Sequence, residues 1–126
     1  ISMLLLQNIT PVFSANTHDG NGQLLNTNAD TIASEIAISL SKTFDVNLIY
    51  CFEKKGVLLN CEDEASVIKE IDSEKYTTLK EQEIIHSGML PKLENCFKSL
   101  SNGVQNILIG NQNVLKNSTI HTKIKL

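Results

Sequence analysis

Between residues 29 and 109 the chain alternates two apolar patterns, and that alternation limits the folds open to it. Ala29, Ile32, Ala33, Ile36, Ala37 and Leu40 recur at the spacing of one helix face, with Thr31, Ser34, Glu35 and Ser39 on other faces. Val46–Phe52 (VNLIYCF) is then a nearly continuous apolar run, the pattern of a strand covered on both faces. Leu93, Cys96, Phe97 and Leu100 repeat the helical stripe, and Val104–Ile109 returns to a strand. Strands joined by helices of this kind run parallel, because the helix carries the chain back to the same end of the sheet. The expected fold class is α/β, a three-layer αβα sandwich around a mainly parallel sheet.

The remaining elements follow from local signals. Ile9–Ala15 (ITPVFSA) reads as a short buried strand with Pro11 near its start, since proline cannot donate to a ladder. Thr17–Gly22 carries Asp-Gly and Asn-Gly steps, which is turn chemistry, and Gln23–Asn26 reads as the returning strand. Asn28 can cap the first long helix, and Asp30 in its first turn complements the helix dipole. Glu62–Asp72 is an acidic loop with a short strand near Ile68–Ile71, after which Ser73 can cap a helix to about Glu83. Gly88-Met-Leu-Pro-Lys92 opens the next helix, Pro91 suits its first position, and Asn102-Gly103 stops it. Thr119–Ile124 reads as a last strand. At 126 residues, without internal repeat or linker, one domain is expected.

Composition excludes several functions. No apolar run approaches the roughly 18 residues of a membrane span. The net charge is −3, which disfavours nucleic acid as a partner because phosphate backbones call for a basic face. All 11 basic residues are lysine, so any anion held by a cationic side chain is held without a guanidinium fork. Cys51, Cys61 and Cys96 lack C-x-x-C spacing, which fits reduced thiols in a cytoplasmic protein better than disulfides or structural zinc. The apolar start at Ile1 lacks a basic flank and does not read as a signal peptide, so the sequons at Asn8 and Asn117 read as incidental. No Walker loop, dinucleotide fingerprint or calcium loop is present, and no metal ligand set stands out. His18, His86 and His121 are isolated and read as surface or hydrogen-bonded side chains.

Two features call for more than a structural reading. Asn26-Thr-Asn-Ala-Asp30 is a polar cluster at a strand-to-helix junction, where open α/β sheets bind ligands. Lys92 lies in the first turn of its helix, where the dipole disfavours a cation by about 0.3–1 kcal/mol. That placement makes sense if the ammonium and the helix N-terminus face a phosphate together, with Gly88 allowing close approach. Capping by Asn28 and a solvated Lys92 are the plainer readings, and Lys54-Lys55 reads most simply as a solvated turn.

These residues also resemble a known family. Asp19-Gly-Asn-Gly-Gln23 followed by Asn26-Thr-Asn-Ala-Asp30 resembles the "DGxGQxxNxNAD" segment of acetylglutamate kinases. Ser87-Gly-Met-Leu-Pro-Lys92 is similar to their "GGMIPK", and Leu48–Val57 lies where they have "LILLTDVxGV". The resemblance implies ATP-dependent phosphorylation of the side-chain carboxylate of N-acetyl-L-glutamate, a step of arginine biosynthesis. By that resemblance residues 1–126 form the C-terminal nucleotide-binding part, and an N-terminal part with a lysine and glycine-rich loops is absent. It implies catalytic roles for Lys92 and Asp30, contact of Asn26 with the acylated amino acid, and nucleotide binding by Glu53, Lys54, Lys55, Gly56, Val57, Leu58, Ile84, Ile85 and His86. ATP with Mg2+ carried on it, a dimer for the full-length protein and a cytoplasmic location are implied too.

The departures matter. Glu53 stands where the family usually has aspartate, Lys54-Lys55 replace apolar and small residues, and Ser87 replaces a glycine. Asn111–Asn117 stands in place of a longer helix. These changes suit a different acyl group such as succinyl. Two other readings remain open: another amino-acid kinase with a different substrate, and a non-catalytic nucleotide-binding or regulatory module.

Overall fold

The computed structural model describes residues 1–116 and 120–126. A five-residue helix, α1 (Ser2–Leu6), precedes a hairpin of β1 (Asn16–His18) and β2 (Leu24–Asn26). Then come α2 (Ala29–Ser41), β3 (Asn47–Cys51), β4 (Glu70–Ile71), α3 (Ser73–Glu81), α4 (Leu90–Ser101), β5 (Asn106–Gly110), a 3-10 turn at Gln112–Lys116, and β6 (Thr122–Ile124). The main sheet has the order β3-β5-β6-β4. β3 pairs parallel with β5 and β4 parallel with β6, while β5 and β6 run antiparallel. The α/β sandwich expected from the alternation is present, and two of its three strand pairs are parallel.

The core is built on β5, whose Ile107 and Ile109 are fully buried along with Leu93 and Cys96 of α4 and Ile124 of β6. α2 and α4 pack side by side through a polar seam. The buried Ser34 and Ser99 hydroxyls share a 2.6 Å hydrogen bond, Ser99 donates to the Asn95 carbonyl, and Asn95 Nδ2 donates to Thr31 Oγ1. Ser34 thus faces a neighbouring helix, although its position off the apolar stripe placed it on another face of α2. α3 lies against α4, with the Tyr76 and Phe97 rings 5.2 Å apart.

Several boundaries differ from the local signals. Ile9–Ala15 is not a strand. Pro11 removes a donor from that run, and Val12 is 91% exposed. Pairing begins instead at Asn16, beside a turn in which Asp19 Oδ1 accepts from the N–H groups of Asn21 and Gln23. The turn therefore starts at Asp19 rather than Thr17, whose hydroxyl bonds that of Thr27 at 2.6 Å. Asp72, not Ser73, caps α3, because its carboxylate is the acceptor that reaches the Lys75 N–H at 2.8 Å. β3 is an edge strand, and only Leu48 and Tyr50 are buried; Cys51 is exposed, so the apolar run is not covered on both faces among the described residues. The Asn117 sequon, the end of the Asn111–Asn117 segment and the Thr119 start of the last strand lie outside the described residues.

Asn28 does cap α2, accepting from the N–H groups of Asp30 (2.8 Å) and Thr31 (3.2 Å). Asn28→Ala should lower stability by about 0.5–2 kcal/mol, read as a shift of the urea midpoint at unchanged slope.

Candidate active site

The centre of the site is an ion pair between two helices. Lys92 Nζ lies 2.6 Å from Asp30 Oδ1, with the two side chains 14% and 30% exposed. Each residue sits in the first turn of its helix, so the N-termini of α2 and α4 converge on one spot. The carboxylate favours such a position and the ammonium does not, so pairing offsets the dipole's penalty on Lys92. Pro91 near the start of α4 gives up no helical hydrogen bond, and the seam of serines keeps the helices in register.

Tyr50 of β3 lies beneath this pair. Lys92 Nζ is 4.6 Å from the centroid of its ring, and its hydroxyl donates to the Asp30 carbonyl at 3.1 Å. Burial pushes the Tyr50 phenol well above its ordinary range, helped by the negative charge of Asp30, so it stays a donor. Cys96, fully buried on α4, is pushed up to about 12, mainly by burial and against the pull of Lys92.

Beside the pair, a cavity of about 410 Å3 brings together the two expected nucleotide segments. Glu53, Lys54, Gly56, Val57 and Leu58 line it from one side and Ile84, Ile85 and His86 from the other. Lys55 does not line it, although the resemblance includes that residue. Phe52, Cys61, Gly88 and Met89 also line it, and Met89 immediately precedes α4, three residues before Lys92.

Two devices shape this cavity. Thr122 of β6 is fully buried, and its hydroxyl accepts from the Val57 N–H at 2.8 Å while donating to the Ile68 carbonyl at 2.7 Å. The loop approaches so closely that a Cβ on Gly56 would meet Thr122 Oγ1 and Val67 Cγ1 at 2.7 Å, so only glycine fits. On the other side Glu83, two residues past the end of α3, has φ 55°; its N–H bonds the Lys80 carbonyl and the Ile84 N–H bonds the Leu79 carbonyl. This double bond pattern turns Ile84–His86 into the cavity, with glutamate at a position that usually holds glycine. Thr122 gave no sequence signal, because its partners lie 54 and 65 residues away.

Asn26, at the end of β2, is exposed and pairs with Asn16 across the hairpin. Among the described residues no hydrogen bond links it to Asp30 or Lys92. A second, polar cleft at the carboxyl ends of β3 and β5 is lined by Cys51, Phe52, Glu53, Asn111 and Gln112, so Glu53 borders both spaces. Among the described residues no group of three or more His, Cys, Asp or Glu side chains could hold a metal ion.

Residues 1–111 match the family model described as the amino acid kinase family. The acetylglutamate kinase of Cytophaga hutchinsonii is 49% identical across 96% of the chain, and the match covers 48% of that protein. The chain therefore spans about half the length of this curated relative. Among solved structures, a protein from Streptococcus mutans UA159 is 30% identical with a TM-score of 0.80, over 98% of this chain and 46% of its own. The N-acetylglutamate synthase of Neisseria gonorrhoeae, complexed with coenzyme A and L-arginine, has the same TM-score of 0.80 at 17% identity, over 98% of this chain and 29% of its own, and so shares the fold.

Proposed function

The chain belongs to the amino acid kinase family, and from that premise we propose that residues 1–126 are the C-terminal nucleotide-binding part of an acetylglutamate kinase. The full protein transfers the γ-phosphoryl group of MgATP to the side-chain carboxylate of N-acetyl-L-glutamate, for arginine biosynthesis. The observation that carries the reading is the Lys92–Asp30 pair at two converging helix N-termini, beside a cavity lined by the expected nucleotide segments. Identity to the Cytophaga hutchinsonii enzyme supports the choice of substrate.

The chemistry suits these groups. An acceptor carboxylate is already ionised at neutral pH, so the reaction needs little general-base help. It needs two anions held in line and charge stabilised as the phosphoryl group moves. Lys92 supplies an ammonium and α4 its first N–H groups, while Asp30 fixes where the ammonium points. Val57, Leu58, Ile84, Ile85 and Met89 offer the nucleotide base apolar walls, with Lys54 at the rim. Lys55 joins the nucleotide contacts from outside these walls, and Asn26 contacts the acylated amino acid from the hairpin. Magnesium would come on the nucleotide, where it would neutralise phosphate charge. The full-length enzyme works as a homo-oligomer in the cytoplasm. None of the described helices is long and apolar enough to cross a membrane.

Two measurements test this reading. A chimera in which this chain replaces the matching part of the Cytophaga hutchinsonii enzyme should release ADP only when N-acetyl-L-glutamate or a close N-acylglutamate is supplied. No acylglutamate-dependent release, from a chimera that folds, would remove the proposal. In the same protein the exposed Cys61 lines the nucleotide cavity, while Cys96 is buried with its thiol held protonated. MgATP should slow iodoacetamide labelling of Cys61 severalfold, N-acetyl-L-glutamate alone should not, and Cys96 should stay unlabelled until the protein unfolds.

A further inference from the structure

We propose that Tyr50 is a positioning residue that holds both halves of the Lys92–Asp30 pair, so that the ammonium meets the phosphoryl group in one fixed place. This rests on the kinase reading above and goes beyond it, since it adds a side chain from β3 that the resemblance does not assign. The family segment that Leu48–Val57 resembles has leucine at this position, where this chain has Tyr50.

The argument is geometric. Tyr50 is 5% exposed and sits in the middle of the core, one residue from the end of β3. Its ring face meets Lys92 Nζ at 4.6 Å to the centroid, on α4. Its hydroxyl meets the Asp30 carbonyl at 3.1 Å, on α2. One rigid side chain therefore links three elements, with one contact on the ammonium of the ion pair and the other on the backbone of the residue that carries its carboxylate. The charged or titratable groups around the ammonium are Asp30 from α2, Tyr50 from β3 and Cys96 from α4 itself. Of these, Asp30 fixes the direction of the ammonium and the Tyr50 face limits how far it can retreat. A lysine has four rotatable bonds, and an ammonium paired only to a part-exposed carboxylate would sample several positions. In-line transfer tolerates little misplacement, so confinement acts on the chemical step rather than on ligand binding.

The pattern β3 shows fits this role. Leu48 and Tyr50 share the buried face of the strand, and Tyr50 pairs in register with the fully buried Ile109. Leucine at residue 50 would still fill core space, but it has neither a π-face for the ammonium nor a hydroxyl for the carbonyl. Phenylalanine would keep the first and lose the second.

The test uses the full-length chimera and its Tyr50→Leu and Tyr50→Phe variants. In the unsubstituted chimera the Lys92 ε-methylene protons should show a ring-current upfield displacement by NMR with lysine selectively labelled. Tyr50→Phe should keep that displacement and hold kcat within about threefold, while Tyr50→Leu should lower kcat about tenfold at unchanged KM for MgATP and for N-acetyl-L-glutamate. Recovery of kcat by phenylalanine over leucine, with all three proteins folded by circular dichroism, separates confinement of the ammonium from general core damage. Wild-type kcat in Tyr50→Leu, or equal losses in both variants, would overturn the proposal. So would a Lys92 signal without ring-current displacement in the unsubstituted protein. A chimera with that displacement but no acylglutamate-dependent turnover would instead remove the kinase reading, and with it the catalytic purpose of the clamp.

Discussion

Lys92→Ala is expected to lower kcat of the full-length chimera by about 10²–10³-fold, the usual cost of removing one preorganised donor from a developing charge. The size follows from the few cations that this half of the protein can bring to the task. There is no arginine in the chain, and of its lysines Lys92 is the one paired with Asp30 at the head of α4. Binding should suffer less than turnover, because the proposed nucleotide walls come from Gly56–Leu58 and Ile84–His86 and not from Lys92. KM for MgATP should therefore change by less than the change in kcat, as expected for an interaction made mainly in the transition state. Steady-state ADP release measures both. A kcat within about tenfold of the unsubstituted protein would count against the role. Stability is not the cause of the loss, since Asp30 is 30% exposed and can regain water when its partner goes.

Ile109→Ala should have the largest effect on stability. Ile109 is fully buried on β5, the strand between β3 and β6, with Tyr50 of β3 and Thr122 of β6 beside it in register. Truncation removes three methylene or methyl groups from a site where neighbouring strands on both sides resist collapse. The expected cost is about 2–5 kcal/mol, a large fraction of the 5–15 kcal/mol by which a domain is stable. Urea unfolding followed by circular dichroism reads it as a lower midpoint. A loss under about 1 kcal/mol would mean that this part of β5 is not packed as described.

The elements built on strong periodicity were legible. α2 and α4 follow their 3.6-residue stripes to within a residue or two, and β3 and β5 follow their apolar runs, because burial of a repeated face outweighs local preference over that length. Short segments were less so. Ile9–Ala15 carries the apolar content of a strand but has Pro11, and the hairpin forms one step later, where Asp19 organises the turn. α1 has no side-chain cap and leaves its apolar residues mostly exposed, so no local signal announced it.

The candidate site divides in the same way. Residue types and their spacing singled out Asp30 and Lys92, since an anti-dipole lysine and a polar strand-to-helix junction are visible in a string of letters. The family resemblance named the segments around Glu53 and Ile84, which line one cavity apart from Lys55. Pairing across distance was not visible. Lys92 and Asp30 are 62 residues apart, Ser34 and Ser99 are 65 apart, and Thr122 reaches 65 residues back to Val57. Tyr50 read as one more apolar letter in VNLIYCF.

Periodicity and capping act within a few residues, so the order of the chain by itself marked the longer helices and strands and the segments that are candidates for chemistry. Where their ends meet depends on how the sheet orders its strands and how α2 and α4 lock through their serines, which are sums of many weak contacts between distant residues. That packing set the ammonium on the Tyr50 ring, held the Gly56 loop against Thr122, and brought two helix N-termini to one carboxylate.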